Sequence, residues 1–109
     1  MASTTQRRAT PRAQVALDVT LARGRAGSPV VGRTHDLGPG GMRVATKRPL
    51  HVDEQLDFVL AFDDGTRVAG RAHVIRHHVG EVYALLFDRL AEVDRARLAA
   101  LAAPPTTLH

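Results

Sequence analysis

A chain of 109 residues, 44% hydrophobic and 24% charged, has room for one folded domain with a modest core. It contains no cysteine, which excludes disulfides, thiolate metal sites and cysteine nucleophiles and fits a reducing compartment. The net charge of +4 rests on 14 arginines and a single lysine, Lys47, and points to an anionic partner. GC-rich coding, which favours Arg, Ala, Gly and Val together, accounts for most of that bias, so the placement of the arginines matters more than their number.

Residues 1–12, MASTTQRRATPR, are polar and basic and read as a flexible arm; they lack the apolar stretch of a secretory signal. Val15, Leu17, Val19 and Leu21 then alternate with Gln14, Ala16, Asp18 and Thr20, the pattern of a half-buried strand. A turn at 24–29 leads to a second strand over 30–34. The glycine-rich stretch HDLGPGG reads as a tight turn, and Met42 and Val44 open a third strand. Leu56, Phe58, Leu60 and Phe62 alternate with Asp57, Val59 and Ala61 as a fourth strand, closed by the hairpin signal Asp63-Asp64-Gly65. Residues 67–77 alternate again, with Val68, Gly70, Ala72 and Val74 on one face, and residues 82–87 form the last strand after a turn at 79–81.

Six short strands separated by turns imply an all-β fold, a small antiparallel barrel or sandwich. Residues 90–103 change to helix formers. At ~100° per residue, Leu90, Val93, Leu98 and Leu101 fall in one arc, which Asp94 and Arg97 interrupt. This helix is expected to cap the barrel. Pro104-Pro105 ends it, and residues 104–109 read as a disordered tail. No apolar run approaches the ~18 residues of a membrane span, so a soluble cytoplasmic protein without membrane insertion is expected.

Enzyme chemistry finds no foothold. On a strand, His73 and His77 share a face but stand ~13 Å apart, too far to share a zinc ion bound at ~2.1 Å from each nitrogen. His77 and His78 point to opposite faces. Ser3 and Ser28, the only serines, lack a nucleophile-elbow context. The Asp63-Asp64 pair belongs to a turn, and no GxxxxGK[ST] phosphate loop is present. Neither catalytic residues nor a metal are expected.

Two features remain: Arg7-Arg8-Ala9-Thr10-Pro11-Arg12 before the first strand, and Asp36-Leu37-Gly38-Pro39-Gly40-Gly41 before the third. Together they resemble the PilZ domain family, which binds the bacterial second messenger cyclic di-GMP. Arg8 and Arg12 match the family's RxxxR motif, and Arg7 adds a preceding arginine. Asp36 and Gly41 match its [D/N]xSxxG motif, in which Gly38 stands at the serine position. GGMRVAT, FDDGTRVAGRAHVIR, ALLFDRL and the closing helix are similar to the rest of the domain, so the resemblance covers residues 7 to about 102.

The resemblance implies a six-stranded antiparallel β-barrel with a short C-terminal α-helix over residues 13–103. It also implies a cyclic di-GMP receptor whose arm wraps over the ligand and which, having no output domain, signals through a partner protein. The implied ligand residues are Arg7, Arg8, Arg12, Asp36, Gly38 and Gly41, with Arg7 favouring an intercalated cyclic di-GMP dimer. The residue types suit this ligand. Guanidinium forks meet phosphates and guanine O6 and N7. A carboxylate at Asp36 accepts from guanine N1–H and N2–H₂, and the glycines open the backbone N–H groups to an anion. Glycine at position 38 forgoes one hydroxyl hydrogen bond, worth roughly 0.5–1.5 kcal/mol. Two alternatives stand beside this reading. One is a degenerate PilZ-like interaction module that binds no nucleotide, which Gly38 favours. The other is a basic barrel for nucleic acid, which the scarcity of aromatic residues for base stacking disfavours.

Overall fold

Alternation in the sequence becomes alternation of faces in the computed structural model, which describes residues 12–23 and 28–102. Six strands follow one another: β1 (Asp18–Ala22), β2 (Val30–Leu37), β3 (Gly41–Ala45), β4 (Gln55–Ala61), β5 (Arg67–His77) and β6 (Val82–Leu90). Helix α1 (Glu92–Ala102) comes last. All pairings are antiparallel, in the order β1-β2-β3-β6-β5-β4, and β1 also pairs with β4. That last pairing closes a barrel, the first of the two architectures expected, and leaves no open edge. Inward residues of every strand meet in one aliphatic core around Leu21, Leu37, Met42, Phe58, Leu60, Val68 and Leu85. The rings of Phe58 and Phe87 stack at 5.0 Å within it.

Several expected boundaries shift, each for a local reason. The first strand starts at Asp18 instead of near Val15, because a side chain replaces the ladder there. Thr34 Oγ1 donates to the Val15 carbonyl and accepts from the Leu17 N–H at 2.9 Å. The second strand continues through Leu37, so Asp36 lies on a strand and not in the loop. A register shift between Thr34 and Asp36 makes His35 the extra residue of a bulge. On uninterrupted alternation Asp36 would share the inward face of Val30 and Thr34; the extra residue sends it outward and leaves Leu37 to enter the core.

A second bulge, between Val74 and Arg76, overturns the expectation that His73 and His77 share a face. His73 pairs with exposed Leu86 and bonds Asp88 at 2.7 Å, whereas the ring of His77 stacks on the core residue Tyr83 at 4.3 Å. The helical stripe also differs. Leu90 belongs to β6, Val93 is 66% exposed, and the residues that α1 buries are Leu98 and Ala102. Arg95 joins them within an arc of ~60° at 100° per residue, and its guanidinium donates to the Pro39 carbonyl. Contact with the glycine-rich loop thus sets which side of the helix faces the barrel. The expected tail, most of the arm and positions 24–27 of the first turn lie outside the described residues. No helix among the described residues is long and apolar enough to cross a membrane.

Close strand packing dictates one glycine. A Cβ on Gly70 would penetrate the Arg89 carbonyl oxygen and lie 3.0 Å from the Phe58 ring. In the Asp63-Asp64-Gly65 turn, Gly65 has φ +92, and the Thr66 N–H donates to Asp64 at 2.9 Å. That bond holds the Asp64 carboxyl below the usual carboxylate range. Gly70→Ala is expected to cost about 1–3 kcal/mol through overpacking between β5 and β6. Urea denaturation measures this, and an unchanged midpoint would contradict the packing described.

Candidate functional site

The Asp36 carboxylate organises the outer surface where β2 meets β3. Its side chain is only 4% exposed, and each oxygen takes a different arginine. Arg12 Nη1 donates to Oδ1 at 2.6 Å, and Arg43 Nε donates to Oδ2 at 2.6 Å. A carboxylate so enclosed needs charged partners, and hydrogen bonds to ions are the stronger kind. Both arginines remain accessible, with side chains 38% and 41% exposed. One negative charge thus holds two positive ones at the surface, and the cluster stays cationic.

Local sequence explains the placement. The connection through Gly38, Pro39 and Gly40 sets Leu37 opposite Met42 and Asp36 opposite Arg43. Met42 and Val44 enter the core, so Arg43 between them faces outward. Ala13 pairs with Leu37 through two backbone hydrogen bonds, which delivers Arg12 to Asp36 from the other side. The two motifs, 24 residues apart, are thereby joined by a direct ion pair. Arg7 and Arg8 lie outside the described residues.

The glycines do more structural work than a ligand alone would ask of them. The Gly38 N–H donates to the Gly41 carbonyl at 3.0 Å, and the Phe87 N–H donates to the Gly40 carbonyl at 3.0 Å. A Cβ on Gly41 would run into the Leu85 carbonyl, so this position is glycine for the approach of β3 to β6. Gly38 itself is buried. The positive-φ glycines among the described residues are Gly65 and Gly80, neither of them in this loop.

Residues 6–103 match the family described as PilZ domain. The chain belongs to the PilZ domain family. Solved structures agree in fold. The Bacillus subtilis inhibitor of motility MotI/DgrA superposes with a TM-score of 0.76 at 19% identity, over 89% of this chain and 50% of that one. The PilZ domain of CeSA from a cellulose-synthesizing bacterium superposes with a TM-score of 0.64 at 19% identity, over 84% of this chain and 93% of that one. The chain therefore spans half the length of MotI/DgrA. No curated protein sequence matches it. PilZ domains are in general cyclic di-GMP receptors and adaptors, not enzymes.

Within this PilZ domain, Arg43 is the site residue that sequence reasoning missed. The signal was present: a short hairpin centred between Pro39 and Gly40 pairs positions 36 and 43, and the alternation of Met42 and Val44 turns Arg43 outward. Asp36→Ala would leave two guanidiniums facing each other without their counter-charge. The expected loss is about 1.5–3 kcal/mol, read as a lower midpoint in urea at low ionic strength, and an Asp36→Ala protein as stable as wild type would show that the cluster contributes nothing to the fold.

Proposed function

We propose that this PilZ domain is a receptor for cyclic di-GMP, held by Arg8 and Arg12 of the RxxxR motif on the outer surface around Asp36. The observation that carries the reading is the pairing of Arg12 with Asp36, which unites the two family motifs at one accessible, cationic place. The ligand carries two phosphates and two guanines, and guanidinium forks suit both. Both oxygens of Asp36 already hold arginines. Its first task is therefore to aim them; a guanine donor finds the second lone pair of Oδ1 or exchanges with a guanidinium. The cluster supplies one end of the binding surface, and Arg7 and Arg8 of the arm supply the other. Ordering an arm costs roughly 1–2 kcal/mol per fixed residue, and the charge-assisted contacts offset that cost. The liganded surface then addresses a partner protein.

Gly38 supports the second reading, a PilZ fold that has given up the nucleotide and acts only through protein contacts. Calorimetric titration with cyclic di-GMP separates the two. Saturable binding that Arg8→Ala and Arg12→Ala abolish supports the receptor, and no heat from folded protein at high micromolar ligand rejects it. Two nucleotides per chain would indicate the intercalated dimer that Arg7 favours, and one per chain would exclude it. Gly38→Ser, which restores the family's serine, is expected to tighten binding by up to about tenfold, the worth of one hydroxyl hydrogen bond. Unchanged affinity would show that the hydroxyl has no role at this site.

A further inference from the structure

The site does not stop at Asp36. Backbone register places Asp36 opposite Arg43, Arg43 opposite Ala84, and Ala84 opposite Arg76. These four residues form one row across β2, β3, β6 and β5. Arg43 faces outward between the core residues Met42 and Val44; Ala84 takes the same outward phase between Tyr83 and Leu85 but is only 7% exposed, covered by its neighbours in the row. Arg76 pairs with Ala84, whereas the next residue, His77, pairs with Tyr83 and stacks on it. The bulge at Ile75 sets this phase. On unbroken alternation from Val74, Ile75 would face outward and Arg76 inward; the extra residue turns Arg76 out as well.

The row has the chemistry of a nucleobase platform. Its middle is small and apolar, since Ala84 is an alanine. Exposed apolar side chains flank it, Leu86 on β6 and Ile75 on β5, each 40% exposed. Arginines stand at either end, two strand spacings or ~10 Å apart. Among the described residues Arg76 makes no ion pair and is exposed. The acidic groups on this surface are already matched, Asp36 by two arginines and Asp88 by His73. A purine laid against Leu86 and Ile75, above the small Ala84, would cover apolar surface with its face and offer its acceptor edge to a guanidinium.

We infer that Arg43 and Arg76, on either side of Ala84, form a second cationic contact for the half of the dinucleotide that the RxxxR arginines do not hold. This rests on the receptor reading above. It extends the site from the β2–β3 hairpin across β6 to β5 and assigns two residues that lie in neither motif. Arg43 thus serves the ligand directly and also helps Asp36 to aim Arg12.

Calorimetric titration of cyclic di-GMP into the full chain at several salt concentrations tests it. The variants are Arg76→Ala and Arg43→Lys, with thermal melting as the control for folding. Among the described residues Arg76 makes no ion pair or side-chain hydrogen bond, so its variant should melt like wild type. Lysine at 43 keeps a cation beside Asp36 but loses the fork. Each variant is expected to bind about tenfold more weakly, the loss of one charge-assisted hydrogen bond. Arg76→Ala should also show a shallower dependence on salt, since one screened attraction is gone. Wild-type affinity in either variant overturns the inference. An effect confined to position 43 would then reflect loosening of Asp36 alone. Absence of binding by the wild-type chain is a different result, because it rejects the receptor reading itself.

Discussion

A single carboxylate turned out of the barrel sets where charge accumulates on this molecule. Asp36 is enclosed on the surface of β2, and a carboxylate there persists only with partners. Arg12 and Arg43 supply them from opposite directions, one from the segment before β1 and one from the neighbouring strand. The segment before β1 is thereby anchored at Arg12, the bridge between Ala13 and Leu37 acquires a charged neighbour, and the hairpin register is locked by an ion pair across it. A one-residue slip of that hairpin would turn Arg43 into the core and strand Asp36 beside a buried methionine or valine.

The bulge at His35 makes this possible. An antiparallel barrel offers few ways to move a polar residue from the inner face to the outer one without breaking the strand. One extra residue does so while the ladder resumes at once. The same device recurs at Ile75, where it presents Arg76. These two bulges, with a third register shift between Arg71 and Ala72, serve the same surface of the barrel, so its chemistry depends on places where strict period-two order is given up.

Those two bulges also mark the limit of what the sequence made legible. The alternation of Leu56, Phe58 and Leu60 and of Val68, Ala72 and Val74 was enough to find strands and core, because burial has the same period as the pleat. The turn at Asp63-Asp64-Gly65 was legible from its residue types. That Arg12 and Asp36 come together could be expected from the family's motifs and a hairpin between them; their direct ion pair, in place of a carboxylate held for guanine, could not. Bulges have no such signature. His35 and Ile75 look like ordinary strand residues, so the phase of Asp36, Arg76 and His77 could not be read from alternation. The late start of β1 was hidden as well, since it depends on the Thr34 hydroxyl of the neighbouring β2 meeting Val15 and Leu17. The helix stripe was misassigned because helical periodicity shows which residues share a face, not which face meets the barrel.

Arg95 donates to the Pro39 carbonyl from 56 residues further along the chain. Proline fixes its own φ and donates no hydrogen bond, so beyond the Gly38–Gly41 bond that closes the turn and the Phe87 bond to Gly40, Pro39 is held through its carbonyl. The brace comes from a helix whose Leu98 is rooted in the core. Loop and helix are consequently tied by a side-chain bond. A displacement of Pro39 beyond what the Arg95 torsions absorb breaks that bond or tilts α1 about Leu98, moving the exposed Val93 and Leu101 with it.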